Sequence, residues 1–375
     1  MNNYVFFYSN HNEDDKTIGI TGKVKSQILS LRRMGLIVFY SAYTNKGIGI
    51  FDNDDKEVFH KHLSFSNNAF GHFKRRKTLI DTCITFLEKT SIIFNYGYLR
   101  FHFFDKRYLS LLKSLKKREC INIVEAHVYP YRVRVFSKFL PFYIIDRLYL
   151  PIVRKYIDLV AGITECSNIW GVKTINIDNA IDLSRYSLAN KTPSNEIRII
   201  SVSNETKAHG YDKVIKGLYY YYKNGGKETI VLNFVGTYLQ STIKLIKKYG
   251  LSNRVVFWGR LSGKELDSVF NQSDLGLGAF SYRKKTESGS CIKTKEYFAR
   301  GIPFINGWKE PAFDDKYPYV LKVETKTSFV DFNKVVSFYK RLQNDSNVSL
   351  NMRIFAESNY SWDVQMSKVF KEFYN

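Results

Sequence analysis

The segment TESGSCIKTKEYFARGIPFI, residues 286–305, sets Ser288, Gly289 and Ser290 ahead of a helical run that stops at Gly301, with Pro303 beyond it. Small residues before a helix N-terminus let backbone N–H groups close on an anion, with the helix dipole behind them. Glu296 sits one turn after Ile292 and one turn before Arg300. It can form an exposed i,i+4 pair with Arg300, worth a few tenths of a kcal/mol. Alternatively it faces a cleft, where a carboxylate accepts both hydroxyls of a ribose. Spacing alone does not separate the two.

A second group lies in SVSNETKAHGYDKVI. Ser203, Asn204, Lys207 and His209 follow a strand and precede a helix, the place where open α/β sheets bind ligands. A single loop histidine serves equally well as a cap. Near the start, Gly19 and Gly22 followed by Lys23 at a helix start could let backbone amides approach a phosphate. Their spacing matches neither the dinucleotide fingerprint nor the P-loop, so a structural turn is an equal reading.

The elements that must position these residues alternate. YVFFYS reads as a buried strand, and GITGKVKSQILSLRRMG as a helix with Val24, Ile28 and Leu31 on one face and Gly35 closing it. LIVFYSA is the next strand. LLKSLKKR, INIVEAHV, LPIVRKYIDLV, AGITEC and TINIDNAI continue as helix, strand, helix, strand, strand. The polar stretch 182–196 then reads as a linker. A second series runs from IRIISVS through DLGLGAF to the opening segment. Since 375 residues exceed what one core organises, two α/β domains are expected, with a cleft between them as the default ligand site.

The formal net charge of +22 concentrates anionic partners without saying which. The denser runs FKRRK (73–77) and KSLKKRE (113–119) read as solvated helix faces. Cys83, Cys120, Cys166 and Cys291 show neither metal-ligand nor disulfide-framework spacing, which fits reduced thiols in a cytoplasm. The N-terminal residues lack the pattern of a signal peptide. No apolar run is long enough to span a bilayer; the nearest, residues 139–153, is broken by Asp146, Arg147 and two prolines.

RIISVSNETKAHGYDKVIKGL, the run 231–280 and SGSCIKTKEYFARGIPFI resemble, in order and at family spacing, the donor domain of family 4 glycosyltransferases of GT-B fold. GITGKVKSQILSLRRMGLIVFY and INIVEAHVYPY resemble the acceptor-side domain more loosely. YSWDVQMSKVF resembles the closing helix that crosses back to it. The resemblance implies two Rossmann-like domains facing each other across a cleft: 1–185 on the acceptor side, 186–358 for the donor, and 359–375 as the returning helix. It implies a retaining transferase using a nucleotide-diphosphate sugar, a UDP-sugar first, with no metal and no other cofactor required.

Carried over by position, Glu296 is the second glutamate of the family's E-x7-E motif, which holds the donor ribose. The first should stand at Ser288; Glu287 is one place early. Either Glu287 reaches the donor sugar through a one-residue loop adjustment, or Ser288 and backbone supply that contact. Where the family carries an Arg and a Lys for the diphosphate, this chain has Asn204 and His209, with Lys207 near by. Lys207, His209, Lys293 and the loop of Gly22 and Lys23 are the candidate phosphate clamp. Glu125 and His127 would orient the acceptor hydroxyl, with packing or capping an equal reading for His127.

Relatives of this kind extend glycans on lipid carriers for bacterial surface polysaccharide, capsule or O-antigen. The expected acceptor is thus a glycan or a polyprenyl-diphosphate-linked sugar, at the cytoplasmic face of the membrane. Residues 131–160 mix Arg132, Arg134, Lys138, Arg147, Arg154 and Lys155 with Phe136, Phe139, Leu140, Phe142 and Tyr143, a composition suited to an anionic interface or to a domain core. The rival readings are a sugar-nucleotide epimerase of the same fold, a catalytically inactive partner of another transferase, and a basic nucleic-acid-binding protein. The last lacks any recognised nucleic-acid-binding signature, so no nucleic acid is expected as partner.

Overall fold

The computed structural model describes residues 3–14, 20–63, 69–127, 129, 140–280, 291–310, 313–314, 316–324 and 326–373. The chain divides into two compact units, Met1–Asp178 with Trp362–Asn375, and Asn179–Ser361. Each has its own apolar core.

In the first unit, strand β1 (Tyr4–Tyr8), helix α1 (Ile20–Arg33) and strand β2 (Ile37–Thr44) form the opening βαβ turn. An antiparallel pair, β3 (Gly47–Phe51) and β4 (Glu57–His62), extends the sheet beyond β2. Then come α2 (Ala69–Lys89), β5 (Tyr96–Arg100), α3 (Lys106–Lys116), β6 (Ile121–Ala126), α4 (Leu140–Val153), β7 (Leu159–Gly162), β8 (Asn168–Ile169) and β9 (Val172–Asn176). The spatial order is β4-β3-β2-β1-β5-β6-β7-β9-β8. β1 and β5 are nearly continuous apolar runs because helices cover both faces of a parallel sheet.

The second unit holds β10 (Ile197–Asn204), α5 (Tyr211–Lys223), β11 (Ile230–Thr237), α6 (Gln240–Lys248), β12 (Val255–Gly259), α7 (Gly263–Asn271), β13 (Leu275–Leu277), α8 (Ile292–Arg300), β14 (Phe304–Asn306) and β15 (Val320–Lys322), then α9 (Phe332–Gln343) and α10 (Val348–Asn359). Its six strands are parallel in the order β12-β11-β10-β13-β14-β15. α5 lies so close to the segment before α9 that a Cβ on Gly217 would stand 1.9 Å from the Val330 carbonyl oxygen. The Val330 N–H also donates to the Lys213 carbonyl at 3.0 Å. Only glycine permits that approach.

The last helix, α11 (Trp362–Phe370), belongs to the first unit. It packs on α1 and buries Trp362, Met366, Val369 and Phe370. The Phe370 ring lies 5.3 Å from Tyr96 on β5, and Gln365 accepts the Asp178 N–H at 2.9 Å. The strand order reverses between β1 and β5 in one sheet and between β10 and β13 in the other, so carboxyl-end crevices open at those places.

Two expectations are corrected. The FKRRK run is not simply a solvated face: Lys74 and Lys77 are exposed, but Arg76 turns inward, 2.5 Å from Asp105 and over the Phe103 ring. Gly22 and Lys23 lie inside the first turn of α1, not in a loop before it.

Candidate active site

At the switch point of the second sheet, β10 ends at Asn204, whose Oδ1 accepts from Thr237 Oγ1 at 2.9 Å. The chain then makes a short 3-10 turn, Lys207–His209, in which His209 Nδ1 accepts the Thr206 N–H at 2.9 Å. His209 therefore fixes the turn, and its ring lies 5.4 Å from Tyr211. Lys207 is exposed on the same turn. Gly210 adopts φ +65, a left-handed conformation that hands the chain into α5. Three residues beyond β13, the Phe280 N–H reaches back to the His209 carbonyl at 2.8 Å.

Lys293 comes to this point from the first turn of α8. Its Nζ donates to Tyr211 Oη at 2.9 Å and to the Gly278 carbonyl at 3.1 Å. A lysine in the first turn of a helix opposes the helix dipole, an arrangement an anion would relieve. Lys293, His209 and Tyr211 are thus brought together beside the N-terminus of α5. Glu205, which sequence reasoning passed over, accepts from Leu239 N and Thr242 Oγ1, each at 2.7 Å, and so holds the start of α6.

Glu296 lies on α8, where every residue from Thr294 to Arg300 is buried. Its Oε1 accepts from Arg300 Nε at 2.9 Å, so the i,i+4 pair exists but inside the unit, not on its surface. Arg300 also meets Asp267 at 2.8 Å and stacks over Phe270. Burial raises the Glu296 carboxyl above its ordinary value, against the pull of the Arg300 charge. Glu287, Ser288, Gly289 and Ser290 lie outside the described residues, as do residues 131–139 of the basic aromatic segment.

In the first unit, Glu125 stands fully buried near the end of β6. Lys23 Nζ is 2.8 Å from its Oε1; Gln27 Nε2 and Tyr98 Oη donate to Oε2 at 2.8 and 3.1 Å; Arg100 Nε is 3.9 Å away. Burial would raise this carboxyl, but the charges of Lys23 and Arg100 outweigh it and hold it well below the usual range. The same burial pushes the Lys23 ammonium down. Lys23 is therefore engaged with Glu125, and Gly22 forms part of the helix turn that carries it.

His127 follows β6 by one residue, and its Nδ1 has no hydrogen-bond partner among the described residues. Burial lowers it to about 4, although Glu125 pulls the other way. His102, just beyond β5, is lowered by burial to about 3 and shares a hydrogen bond with Asn10 Oδ1 at 2.8 Å. The two rings are 6.0 Å apart. Two neutral imidazoles thus stand together at the carboxyl ends of neighbouring strands, able to accept a hydrogen bond from a hydroxyl. His102, Arg100, Tyr98 and Gln27 were not foreseen. Gln27 had a signal, since it lies one turn after Lys23, and so did Arg100, a cation closing the apolar run YGYLRF.

Among the described residues, no cluster of three or more His, Cys, Asp or Glu side chains could hold a metal ion, and no helix is long and apolar enough to cross a membrane.

Residues 185–307 match the family of glycosyl transferases group 1. No curated protein matches the chain. Similar solved structures include a glycosyltransferase from Rickettsia africae ESF-5, 12% identical, covering 99% of this chain and 97% of that one at a TM-score of 0.66. The catalytic domain of starch synthase IV from Arabidopsis thaliana, bound to ADP and acarbose, is 11% identical over 99% and 98% of the two chains, at 0.63. WaaG, a glycosyltransferase involved in lipopolysaccharide biosynthesis, is 12% identical over 99% and 100%, at 0.57. At these identities the likeness is one of fold.

Proposed function

Because this chain is a glycosyltransferase of the GT-B fold with a group 1 domain in its second unit, we propose that it moves a sugar from a nucleotide-diphosphate donor to a glycan or lipid-linked acceptor. In this reading the anomeric configuration is retained, the donor is a UDP-sugar, and the product enters a bacterial surface polysaccharide at the cytoplasmic face of the membrane.

The observation that carries the reading is Lys293, held at 2.9 Å from Tyr211 at the switch point of the second sheet. Cleaving a sugar–diphosphate bond puts charge on the leaving phosphate, and a preorganised cation beside a helix N-terminus lowers that barrier. Lys293 is the central cation of the clamp, Lys207 an exposed neighbour, and His209 the residue that fixes their turn. Glu296, one turn further along α8, holds the donor ribose, with Glu287 on the donor sugar. In the first unit, His127 with His102 orients the acceptor hydroxyl, while Glu125 keeps that crevice's framework in place. No residue is assigned as nucleophile.

The test is a thermal-shift series with UDP-, GDP- and ADP-sugars, followed by transfer from a labelled donor. A ligand that binds only the folded protein raises its apparent stability. Glu296→Ala should abolish the shift given by the preferred donor. Label released only as free sugar under every acceptor condition would sink the transferase reading, and an isomerised donor formed without acceptor would favour an epimerase.

A further inference from the structure

Helix α4 is the feature that neither the donor site nor the acceptor crevice uses. Ile144, Leu148 and Ile152 recur every fourth residue along it and are 50, 69 and 46% exposed. They form one apolar stripe about 12 Å long at 1.5 Å per residue. The charge on the helix is distributed with one sign outward. Its single carboxylate, Asp146, is buried and accepts the Phe104 N–H at 2.7 Å. Arg147 is exposed and lies over the Tyr143 ring at 4.8 Å, and the exposed Arg154 and Lys155 continue directly from the helix end. The next carboxylate, Asp158, is already paired with Lys116 at 2.7 Å.

We propose that α4 is a membrane-docking element: Ile144, Leu148 and Ile152 enter the headgroup boundary of an anionic bilayer, while Arg147, Arg154 and Lys155 meet lipid phosphates. An exposed apolar stripe flanked by cations is complementary to a negatively charged lipid surface, because apolar burial and charge attraction act on the same face. A second copy of this chain fits that face poorly, since it would set like charges against each other at a net +22 per chain. The proposal rests on the lipid-linked acceptor of the proposed function for its purpose, but on α4 alone for its geometry.

The experiment is co-sedimentation of the full chain with vesicles of equimolar phosphatidylglycerol and phosphatidylcholine, against pure phosphatidylcholine. The wild type should bind the anionic vesicles and release as salt rises. The Ile144→Ser/Leu148→Ser/Ile152→Ser variant should lose about tenfold or more of that binding, given that each buried CH2 contributes to partitioning. Its thermal midpoint and its donor-induced shift should be unchanged. As a check that does not depend on the triple variant folding, Leu148→Trp should gain emission that brominated lipid quenches, above the wild-type level. Equal binding by wild type and triple variant overturns the proposal. So does added emission in the Leu148→Trp variant that brominated lipid leaves unquenched, or a stripe-dependent dimer with no vesicle binding. Loss of transfer in the wild type with vesicle binding intact would count against the proposed function and leave the docking surface standing.

Discussion

Lys23 Nζ lies 2.8 Å from Glu125 Oε1, the lysine side chain 9% exposed and the carboxylate not at all. This contact ties the first turn of α1 to β6, and Gln27, Tyr98 and Arg100 close around the same carboxylate. A buried charge with this many partners sets the shape of the crevice around it, and removing it leaves cations unpaired in an apolar setting.

Glu125→Gln should therefore cost about 3–5 kcal/mol of stability, the usual penalty for breaking a buried pair from one side. Urea denaturation measures it. Adding Lys23→Met should restore part of the loss, with Arg100 still lacking its counter-charge. A single variant as stable as the wild type would show that the cluster is solvated in solution.

The acid side of the stability curve should be steep. His127 and His102 have folded values of about 4 and about 3 against 6.5 when unfolded. Their contribution is complete above 6.5 and is lost as pH falls through about 4 toward 3, because the unfolded chain takes up the protons first. Glu125, also depressed, adds a loss that begins as pH drops through 4.5. Thermal midpoints measured from pH 7 to pH 4 should fall, and the His127→Asn/His102→Asn variant should flatten the upper part of that fall.

If Lys293 is the cation of the proposed phosphate clamp, Lys293→Met should lower turnover by about a hundredfold with a much smaller effect on stability, because a charge facing the leaving phosphate is then lost. Tyr211→Phe keeps the cation and removes only one acceptor, so its turnover should stay within about tenfold of wild type. Steady-state kinetics with the preferred donor decide this. If Tyr211→Phe were the worse of the two, the hydroxyl and not the ammonium would be the working group.

Gly217→Ala should unfold the second unit at markedly lower denaturant. The added Cβ meets the Val330 carbonyl at 1.9 Å, so α5 or the chain before α9 must move. A loss of about 3 kcal/mol or more is expected from overpacking of this kind. An unchanged midpoint would mean that α5 can shift freely.

The alternation of strands and helices was legible because parallel sheets are built from apolar runs and amphipathic helices. GITGKVKSQILSLRRMG shows its face through Val24, Ile28 and Leu31, and α1 follows it. In the stretch 45–105 only FKRRK is read, as a helix face, and the strands are missed: β3 and β4 are short, and β5 is five residues closed by an arginine. α8 could not be read by amphipathicity, because α10 packs on it and leaves residues 294–300 no exposed side. The Glu296–Arg300 spacing was therefore visible, but its burial was not. The Glu125 cluster draws on α1, β5 and β6, and no local pattern joins residues 23, 27, 98, 100 and 125. The neutral state of His127 likewise depends on burial beside the Arg100 and Lys23 charges, and that of His102 on burial beside His127, neighbours that only the sheet order and α1 bring alongside.

α11 has a consequence for biosynthesis. Translation delivers residues 1–178 first, but the helix that covers α1 and β5 leaves the ribosome only after the whole of 179–361. During that interval the surface destined for Trp362, Met366 and Phe370 is uncovered and available to chaperones. The half of the protein made first is thus the half completed last.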